Sequence, residues 1–365
     1  MAKKAKKIVL VSGARPNFIK IAPLMRAMQR SYAARLQAIL VHTGQHYDYE
    51  MSQAFFEDLE IRQPDYFLGV GPGSHAVQTA RIMMAFEEVC VKEQPDLVAV
   101  VGDVNSTVAC ALVAKKLEIG VAHVEAGLRS RDLSMPEEIN RLVTDVLSDF
   151  LFVSERSGVA NLQQEGKPES AIFFVGNVMV DTLYLQLARL AKPEDNKPAG
   201  PFAVMTLHRP SNVDHDAKLR EIMEAITVIA GDLPVHFPVH PRTRQRLEAT
   251  GLLTRLRQSG IEFLPPLPYQ AFLRLWKDAA LVLTDSGGLQ EETTALGIPC
   301  LTIRENTERP VTITEGTNLL AGTTFSGIMA AYAEFKTTGG KKGRVPELWD
   351  GKAAERIVKV LAANL

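Results

Sequence analysis

The chain has 365 residues, enough for two cores, and a hydrophobic fraction of 46%, that of a globular protein. Its net charge is −1, so no global field recruits nucleic acid or an acidic membrane. No apolar run is long enough to span a bilayer, and Cys90, Cys110 and Cys300 have no paired spacing, which fits a reducing cytoplasm and neither disulfides nor structural zinc.

The lysines of "MAKKAKK" precede an apolar run that ends at once in "SGARP", too short for a signal peptide, so "KIVLVSG" reads as the first strand. "FIKIAPLMRAMQR" then reads as a helix, "LQAILVHTG" as a strand and "AVQTARIMMAFEEVCVKE" as a helix. "DLVAVVGD", the helical "STVACALVAKKLE", and the strands "VAHVEAG", "FLFVSE" and "AIFFVGN" follow. Continuous apolar strands separated by helices predict a parallel sheet covered on both faces. The pattern breaks at "AKPEDNKPAGP", residues 191–201, a proline-rich polar linker. It restarts with "FAVMTLH", "VHFPVH", "IEFLPPL", "AALVLTD" and "CLTIRE". A polar "KTTGGKKGR" loop and the amphipathic "GKAAERIVKVLAANL" close the chain. The expectation is an α/β protein of two doubly wound Rossmann-like domains, 1–190 and 199–350, with helix 351–365 packing back on the first. A ligand is expected at the carboxyl ends of the strands, in the cleft between domains.

The strand ends carry the unusual residues. In "SGARPNFIK", Gly13 permits a tight turn, Pro16 can open a helix, and Arg15 and Lys20 are cations that suit a pyrophosphate. The alternative is a β–α turn with solvated charges. Asp103 in "GDVNST" is either an N-cap or a catalytic acid. Glu125 in "HVEAGLRS" is an acid on an apolar strand, expensive unless paired or functional, and Arg129 is its candidate ion partner. "MPEEINR" opens a helix with Glu137 and Glu138, a position that the helix dipole alone favours.

In the second half, "TLHRPSNVD" ends a strand in His208 and Arg209, and "PVHPRT" repeats the arrangement with His240 and Arg242. "HTGQH" and "HFPVH" each space two histidines four apart, but neither reads as helical and neither has a third ligand nearby, so no metal site is expected. In "TDSGGLQEE", Ser286, Gly287 and Gly288 start a helix whose backbone N–H groups can approach phosphate oxygens. Glu292 lies one turn beyond Gly288 and suits the vicinal hydroxyls of a ribose. Arg309 in "ENTERP" is a further anion partner. Phosphate plus ribose means a nucleotide. Neither a G-x-G-x-x-G fingerprint nor a Walker motif follows the first strand, which argues against a nicotinamide dehydrogenase or an ATPase, so no cofactor is expected.

The ordered set "GARPNFIK", "TGQHYDYEMS", "GDVNST", "HVEAGLRS", "MPEEINR", "TLHRP", "PVHPRT", "TDSGGLQEE" and "ENTERP" resembles the non-hydrolysing UDP-N-acetylglucosamine 2-epimerases, from Gly13 to about Gly322. The resemblance implies the two-domain GT-B fold and interconversion of UDP-GlcNAc and UDP-ManNAc without NAD or metal. It implies elimination of UDP to 2-acetamidoglucal and re-addition. By motif it implies Asp103, Glu125, Glu137 and His208 as the catalytic group. It implies Arg15 and Lys20 on the diphosphate, Ser286, Gly287 and Gly288 on phosphate, Glu292 on ribose, and Arg309 on sugar or phosphate. Phe272 would lie beside the uracil, with backbone near Leu267 reading its edge. Some bacterial members bind a second, activating UDP-GlcNAc, and Gln45, His46, Arg209 and His240 match parts of that site. "HYDYE" and "GPGSHAVQ" lack its arginine-bearing pattern, and Ser211 stands where the family often has Glu. The resemblance also implies a cytoplasmic homodimer supplying ManNAc units for surface polysaccharide. The rivals are a 2-epimerase for a modified UDP-sugar such as a diacetamido uronic acid, a GT-B glycosyltransferase, and a non-catalytic nucleotide-sugar binding protein.

Overall fold

A computed structural model describes residues 5–45, 59–190, 200–257 and 259–365, without the side chains of Arg15 and Arg255. The chain forms two compact units: Met1–Leu185 with Glu347–Leu365, and Gln186–Pro346.

The first unit is a parallel sheet of β1 (Lys6–Ser12), β2 (Leu36–His42), β3 (Tyr66–Phe67), β4 (Leu97–Val101), β5 (Gly120–Val124), β6 (Phe150–Val153) and β7 (Ile172–Phe174), in the order β3-β2-β1-β4-β5-β6-β7. Helices α1 (Arg15–Ser31), α2 (His75–Glu93), α3 (Asn105–Lys116), α4 (Pro136–Leu147), α5 (Arg156–Gln164) and α6 (Val178–Arg189) connect or follow the strands. Ile8, Val9 and Leu10 of β1 and Leu97, Val98 and Val100 of β4 are fully buried. Runs of β-branched residues without alternation form such strands because helices cover both faces.

The second unit repeats the design. Strands β8 (Ala203–Thr206), β9 (Val235–Pro238), β10 (Ile261–Leu264), β11 (Leu281–Thr284), β12 (Cys300–Thr302) and β13 (Asn318–Leu320) run parallel in the order β10-β9-β8-β11-β12-β13. The helices are α7 (Pro210–Val213), α8 (Asp216–Asp232), α9 (Pro241–Ala249), α10 (Leu252–Leu256), α11 (Tyr269–Trp276), α12 (Gly287–Leu296), α13 (Pro310–Thr314) and α14 (Phe325–Thr338). In each sheet the winding direction reverses once, between β1 and β4 and between β8 and β11. Loops leave those strand ends in opposite directions and open a crevice there, so ligand groups gather at the carboxyl ends of these four strands.

The last helix, α15 (Ala353–Asn364), returns to the first unit and packs on α1. Its buried face is Ala354, Ile357, Val358 and Leu361, at helical spacing. Trp349 leads it in: its ring is buried and its indole N–H donates to the Ser154 carbonyl at 2.9 Å. A Cβ on Gly176 would lie 2.1 Å from the Leu348 carbonyl oxygen, so glycine is what lets the returning segment lie that close. Asp181 of α6 accepts from the N–H groups of Ala353 and Ala354 at 3.1 and 2.7 Å, satisfying donors that the first turn of α15 leaves open. Among the described residues no helix is long and apolar enough to cross a membrane.

Burial raises the Asp181 carboxyl from 3.8 to about 7, against the pull of its two N–H donors. A carboxyl whose folded value lies above its unfolded one loses its contribution to stability as pH rises through that window. The Tm advantage of the wild type over Asp181→Asn should therefore shrink between pH 4 and 7, by on the order of 1–4 kcal/mol in stability. A thermal-denaturation series would show it; an advantage that stays constant or grows with pH contradicts this account.

Candidate active site

In the first unit the turn from β1 into α1 is fixed by Asn17. Its Oδ1 accepts from Gly13 N–H at 3.1 Å and Ala14 N–H at 2.9 Å, and its Nδ2 donates to the Val101 carbonyl at 3.0 Å. A Cβ on Gly13 would lie 2.2 Å from Ser106 Oγ, so the glycine of "SGARP" answers a packing need. Gln45 Oε1 accepts from Ser106 Oγ at 2.8 Å and Ser106 N–H at 3.1 Å. Gln45 is thus engaged in a buried network, and His46 lies outside the described residues.

Lys20, one turn into α1, forms a buried ion pair with Glu125. The expected partner, Arg129, goes elsewhere: its Nη2 lies 2.7 Å from Asp145 and 2.6 Å from Glu165. The reason is chain direction. Glu125 sits just past β5 with φ +72°, a left-handed backbone uncommon outside glycine, so the chain turns before Arg129. Hydrogen bonds from the N–H groups of Glu125 and Ala126 to the Phe152 carbonyl, 3.0 and 3.1 Å, hold that turn. Such strain costs roughly 1–3 kcal/mol and persists only where the surroundings fix it. Gly102, at φ +69°, lies across from it; a Cβ there would stand 3.3 Å from Lys20 Nζ and 3.5 Å from Glu125 Oε2. Beneath the pair, His123 Nε2 is 2.8 Å from the Gly102 carbonyl and Nδ1 is 2.6 Å from Asp145 Oδ1.

Asp103 follows Gly102 and does not cap α3, whose N-cap is Val104 without a side-chain bond. It is half-buried, and Arg141 Nη1 lies 2.6 Å from its Oδ2. Arg141 of α4 is buried and also meets Glu138 Oε2 at 2.8 Å. Glu138 in turn accepts from the N–H groups of Ser130 and Arg131, both at 2.9 Å. Of the two acids that open α4, Glu138 is therefore a structural anchor, while Glu137 is exposed. Arg141 and Asp145 escaped the sequence reading, although a signal exists. Glu138, Arg141 and Asp145 share one helical face and are buried, while Ile139, Val143 and Val146 on the other face are exposed. The amphipathic pattern of α4 is inverted, polar side inward.

In the second unit Asp285 organises the crevice. Fully buried after β11, it accepts from the N–H groups of His208 (3.0 Å) and Arg209 (2.8 Å) and from Asn212 Nδ2 (3.2 Å), and it meets His208 Nδ1 at 3.0 Å. Burial pushes its carboxyl up, but His208 and these backbone donors more than reverse that and leave it below the usual range. The His240 ring stands 5.9 Å from that of His208 and accepts from Arg242 N–H at 3.2 Å; burial and the neighbouring His208 lower its pKa.

Ser286 caps α12, its Oγ accepting from Leu289 N–H at 3.5 Å, and Ser286, Gly287 and Gly288 are only half-buried. A Cβ on Gly287 would lie 3.1 Å from Arg309 Nη1. Beside this helix start Arg209, Arg304 and Arg309 interlock with Glu291 and Glu308 at 2.7–3.3 Å. Guanidiniums gathered at a helix start, where the dipole is already positive, are an arrangement that favours an anion. Arg209, matched by sequence to a second nucleotide site, is tied into this cluster and to the Asp285 carbonyl at 3.0 Å. Glu292 is buried and accepts from the Tyr269 hydroxyl at 2.5 Å. Leu267 and Phe272 are half-buried at the start of and within α11. Among the described residues no three His, Cys, Asp or Glu side chains are grouped so as to hold a metal ion.

A family model described as UDP-N-acetylglucosamine 2-epimerase matches residues 28–362. The chain is 41% identical over 366 residues to the UDP-N-acetylglucosamine 2-epimerase of Methanocaldococcus jannaschii, covering 97% of this chain and 98% of that protein. It is also 41% identical over 360 residues to the UDP-2,3-diacetamido-2,3-dideoxy-D-glucuronate 2-epimerase of Pseudomonas aeruginosa, covering 98% and 99%. Its fold matches the crystal structure of the M. jannaschii UDP-GlcNAc 2-epimerase in complex with UDP-GlcNAc and UDP with a TM-score of 0.90 at 40% identity, covering 98% of this chain and 100% of that one. The two sheets accordingly belong to the GT-B class, as the sequence resemblance implies.

Asp285 gives the opposite linkage to Asp181. Its folded value lies below 3.8, so its contribution is present above that pH and lost below it. Asp285→Asn should cost about 2–3 kcal/mol near pH 7, because an amide cannot satisfy the donors gathered there. The deficit should narrow as pH falls below about 4, read from denaturant midpoints across pH; a pH-independent deficit would count against the charge being what matters.

Proposed function

This chain belongs to the UDP-N-acetylglucosamine 2-epimerase family, a family of carbohydrate isomerases, and from that premise we propose that it interconverts UDP-GlcNAc and UDP-ManNAc. The observation that carries the reading is Glu125: an acid buried at a strand end, in strained backbone, ion-paired to Lys20, just past β5, which pairs with the strand that leads to Asp103. A scaffold gains nothing from such an arrangement, whereas proton transfer at a weakly acidic carbon needs positioned, partly desolvated acids and bases. In the proposed reaction a base takes the C2 proton. The C2–H electron pair becomes the C1=C2 bond, the C1–O bond breaks, and UDP leaves with the electron pair of that C1–O bond. The resulting 2-acetamidoglucal then takes back UDP at C1 and a proton at the opposite face of C2. Asp103, Glu125, Glu137 and His208 are the proposed acid/base group, and Lys20 pairs with Glu125 and aims it. Arg15 and the start of α12, with Ser286, Gly287, Gly288 and Arg309, are the proposed diphosphate ligands. Glu292 is the proposed ribose ligand, and Phe272 and the Leu267 backbone the uracil contacts. The enzyme is placed in the cytoplasm on the same reading.

A second substrate has specific support: the Pseudomonas relative acts on a diacetamido glucuronate by name and is as identical to this chain as the archaeal one. The same chemistry applies, with a 3-acetamido group and a 6-carboxylate added. Proton NMR of the enzyme with UDP-GlcNAc and with the UDP-diacetamido uronate, each alone in D₂O, decides between them. UDP-ManNAc carrying deuterium at C2 is the expected result; turnover of the uronate only shifts the assignment to it, and protium retained at C2 removes the elimination route. Asp103→Asn and Glu125→Gln should each lower kcat at least about 100-fold, with UDP affinity changed far less.

We also propose a homodimer through α2 and α4. Val77, Met84 and Val91 stand one heptad apart on α2 and are exposed, alongside Ile139, Val143 and Val146 of α4. Both helices pack against α3, so the stripes share a face of the unit. A second copy is the occupant that conceals equal stripes from water on both partners. Light scattering should give a dimer for the wild type and a monomer for Met84→Glu combined with Val146→Glu; a monomeric wild type ends the proposal.

A further inference from the structure

Glu291 and Glu292 are neighbours on α12, yet they have different partners. Arg309 meets Glu291 at 2.7 Å. Glu292 accepts instead from the phenol of Tyr269, at 2.5 Å, between two side chains that keep only 4% and 6% of their surface. A phenol is a weaker choice than a guanidinium for holding a buried carboxylate. Burial accordingly raises the Glu292 carboxyl from 4.5 to about 7, with Glu291 adding to the rise and the phenol opposing it.

The choice makes sense if Glu292 must accept from a ligand. An arginine fork would occupy both carboxylate oxygens. One phenol occupies a single lone-pair site of the four, leaving Oε2 and the second site of Oε1 for two adjacent hydroxyls. Position supports the same conclusion. Tyr269 is the first residue of α11, and Phe272, the proposed uracil contact, lies three residues on, along the same side of that helix. The Tyr269–Glu292 bond therefore ties the helix that would meet the base to the carboxylate that would meet the sugar.

We infer that Tyr269 is a positioning residue for nucleoside recognition: its phenol fixes Glu292 in the orientation that a vicinal diol requires, so the site prefers a ribonucleotide to its 2′-deoxy counterpart. This rests on the reading of Glu292 as the ribose ligand.

Calorimetric binding of UDP, 2′-deoxy-UDP and pyrophosphate to four proteins tests it: the wild type, Glu292→Ala, Tyr269→Phe and Glu292→Asp. The wild type should prefer UDP over 2′-deoxy-UDP by about tenfold, the scale of one hydrogen bond to a charged group. Tyr269→Phe keeps the buried ring and removes one oxygen; it should bring the preference down to about twofold or less and leave pyrophosphate affinity unchanged. Glu292→Asp, which withdraws the carboxyl from the phenol, should do the same and covers the case of a Phe variant that does not fold. A preference that survives Glu292→Ala overturns the ribose reading itself. A preference lost in Glu292→Ala but kept in Tyr269→Phe and Glu292→Asp overturns the positioning role alone. Equal losses for all three ligands in Tyr269→Phe make the phenol a packing group and overturn it as well.

Discussion

A carboxylate at the end of a buried parallel strand is the constraint around which the first unit is arranged. Burying Glu125 there is costly without a partner, and the partner comes from another element, because the chain turns left-handed at Glu125 itself. Lys20 meets that need only if α1 starts close to β1, which the Asn17 bonds to Gly13 and Ala14 secure. The backbone beside the two side chains turns at Gly102, whose φ of +69° favours glycine, and the Gly102 carbonyl is held by His123, which is held by Asp145. Removing one member leaves a buried charge or donor unpaired. For that reason these residues form a unit and not a list of independent contacts.

The second unit solves a similar problem with different chemistry. Asp285 is also a buried acid at a switch-point strand end, but its partners are the His208 ring and the backbone N–H groups of His208 and Arg209, from the loop after β8. The positive charge is displaced outward, to the arginines beside the start of α12. One switch point thus concentrates acids and the other guanidiniums.

The sheets were legible because their strands are long apolar runs, and β1, β2, β4 and β11 appear where the runs predict them. The edge strands β3 and β13, two and three residues long, were not, because periodicity has no purchase on segments that short. Site residues at strand ends stood out by contrast with the apolar text around them, as Glu125 and His208 do. Two buried residues inside α4 did not. Arg141 and Asp145 look like the solvent face of α4 until the structure turns that face inward. Partners were also misassigned where backbone direction decides them: nothing in "HVEAGLR" reveals that the left-handed turn at Glu125 sends Arg129 to Asp145. Asp285, written directly before Ser286 in the chain, was passed over as the end of a strand, and its role depends on the loop after β8, which is adjacent in the sheet and distant in sequence.

The route of the chain has a consequence for how the molecule is made. The second unit is continuous, from Gln186 to Pro346, and every strand of its sheet is synthesised in one stretch. The first unit is interrupted: its seven strands are made early, but Trp349, Leu348 against Gly176, and the α15 face that covers α1 arrive only with residues 347–365. During synthesis the acid-bearing sheet therefore waits, with one flank of α1 uncovered, until the second unit has already had time to fold. Residues 347–365 act as the clasp of a sheet made long before them.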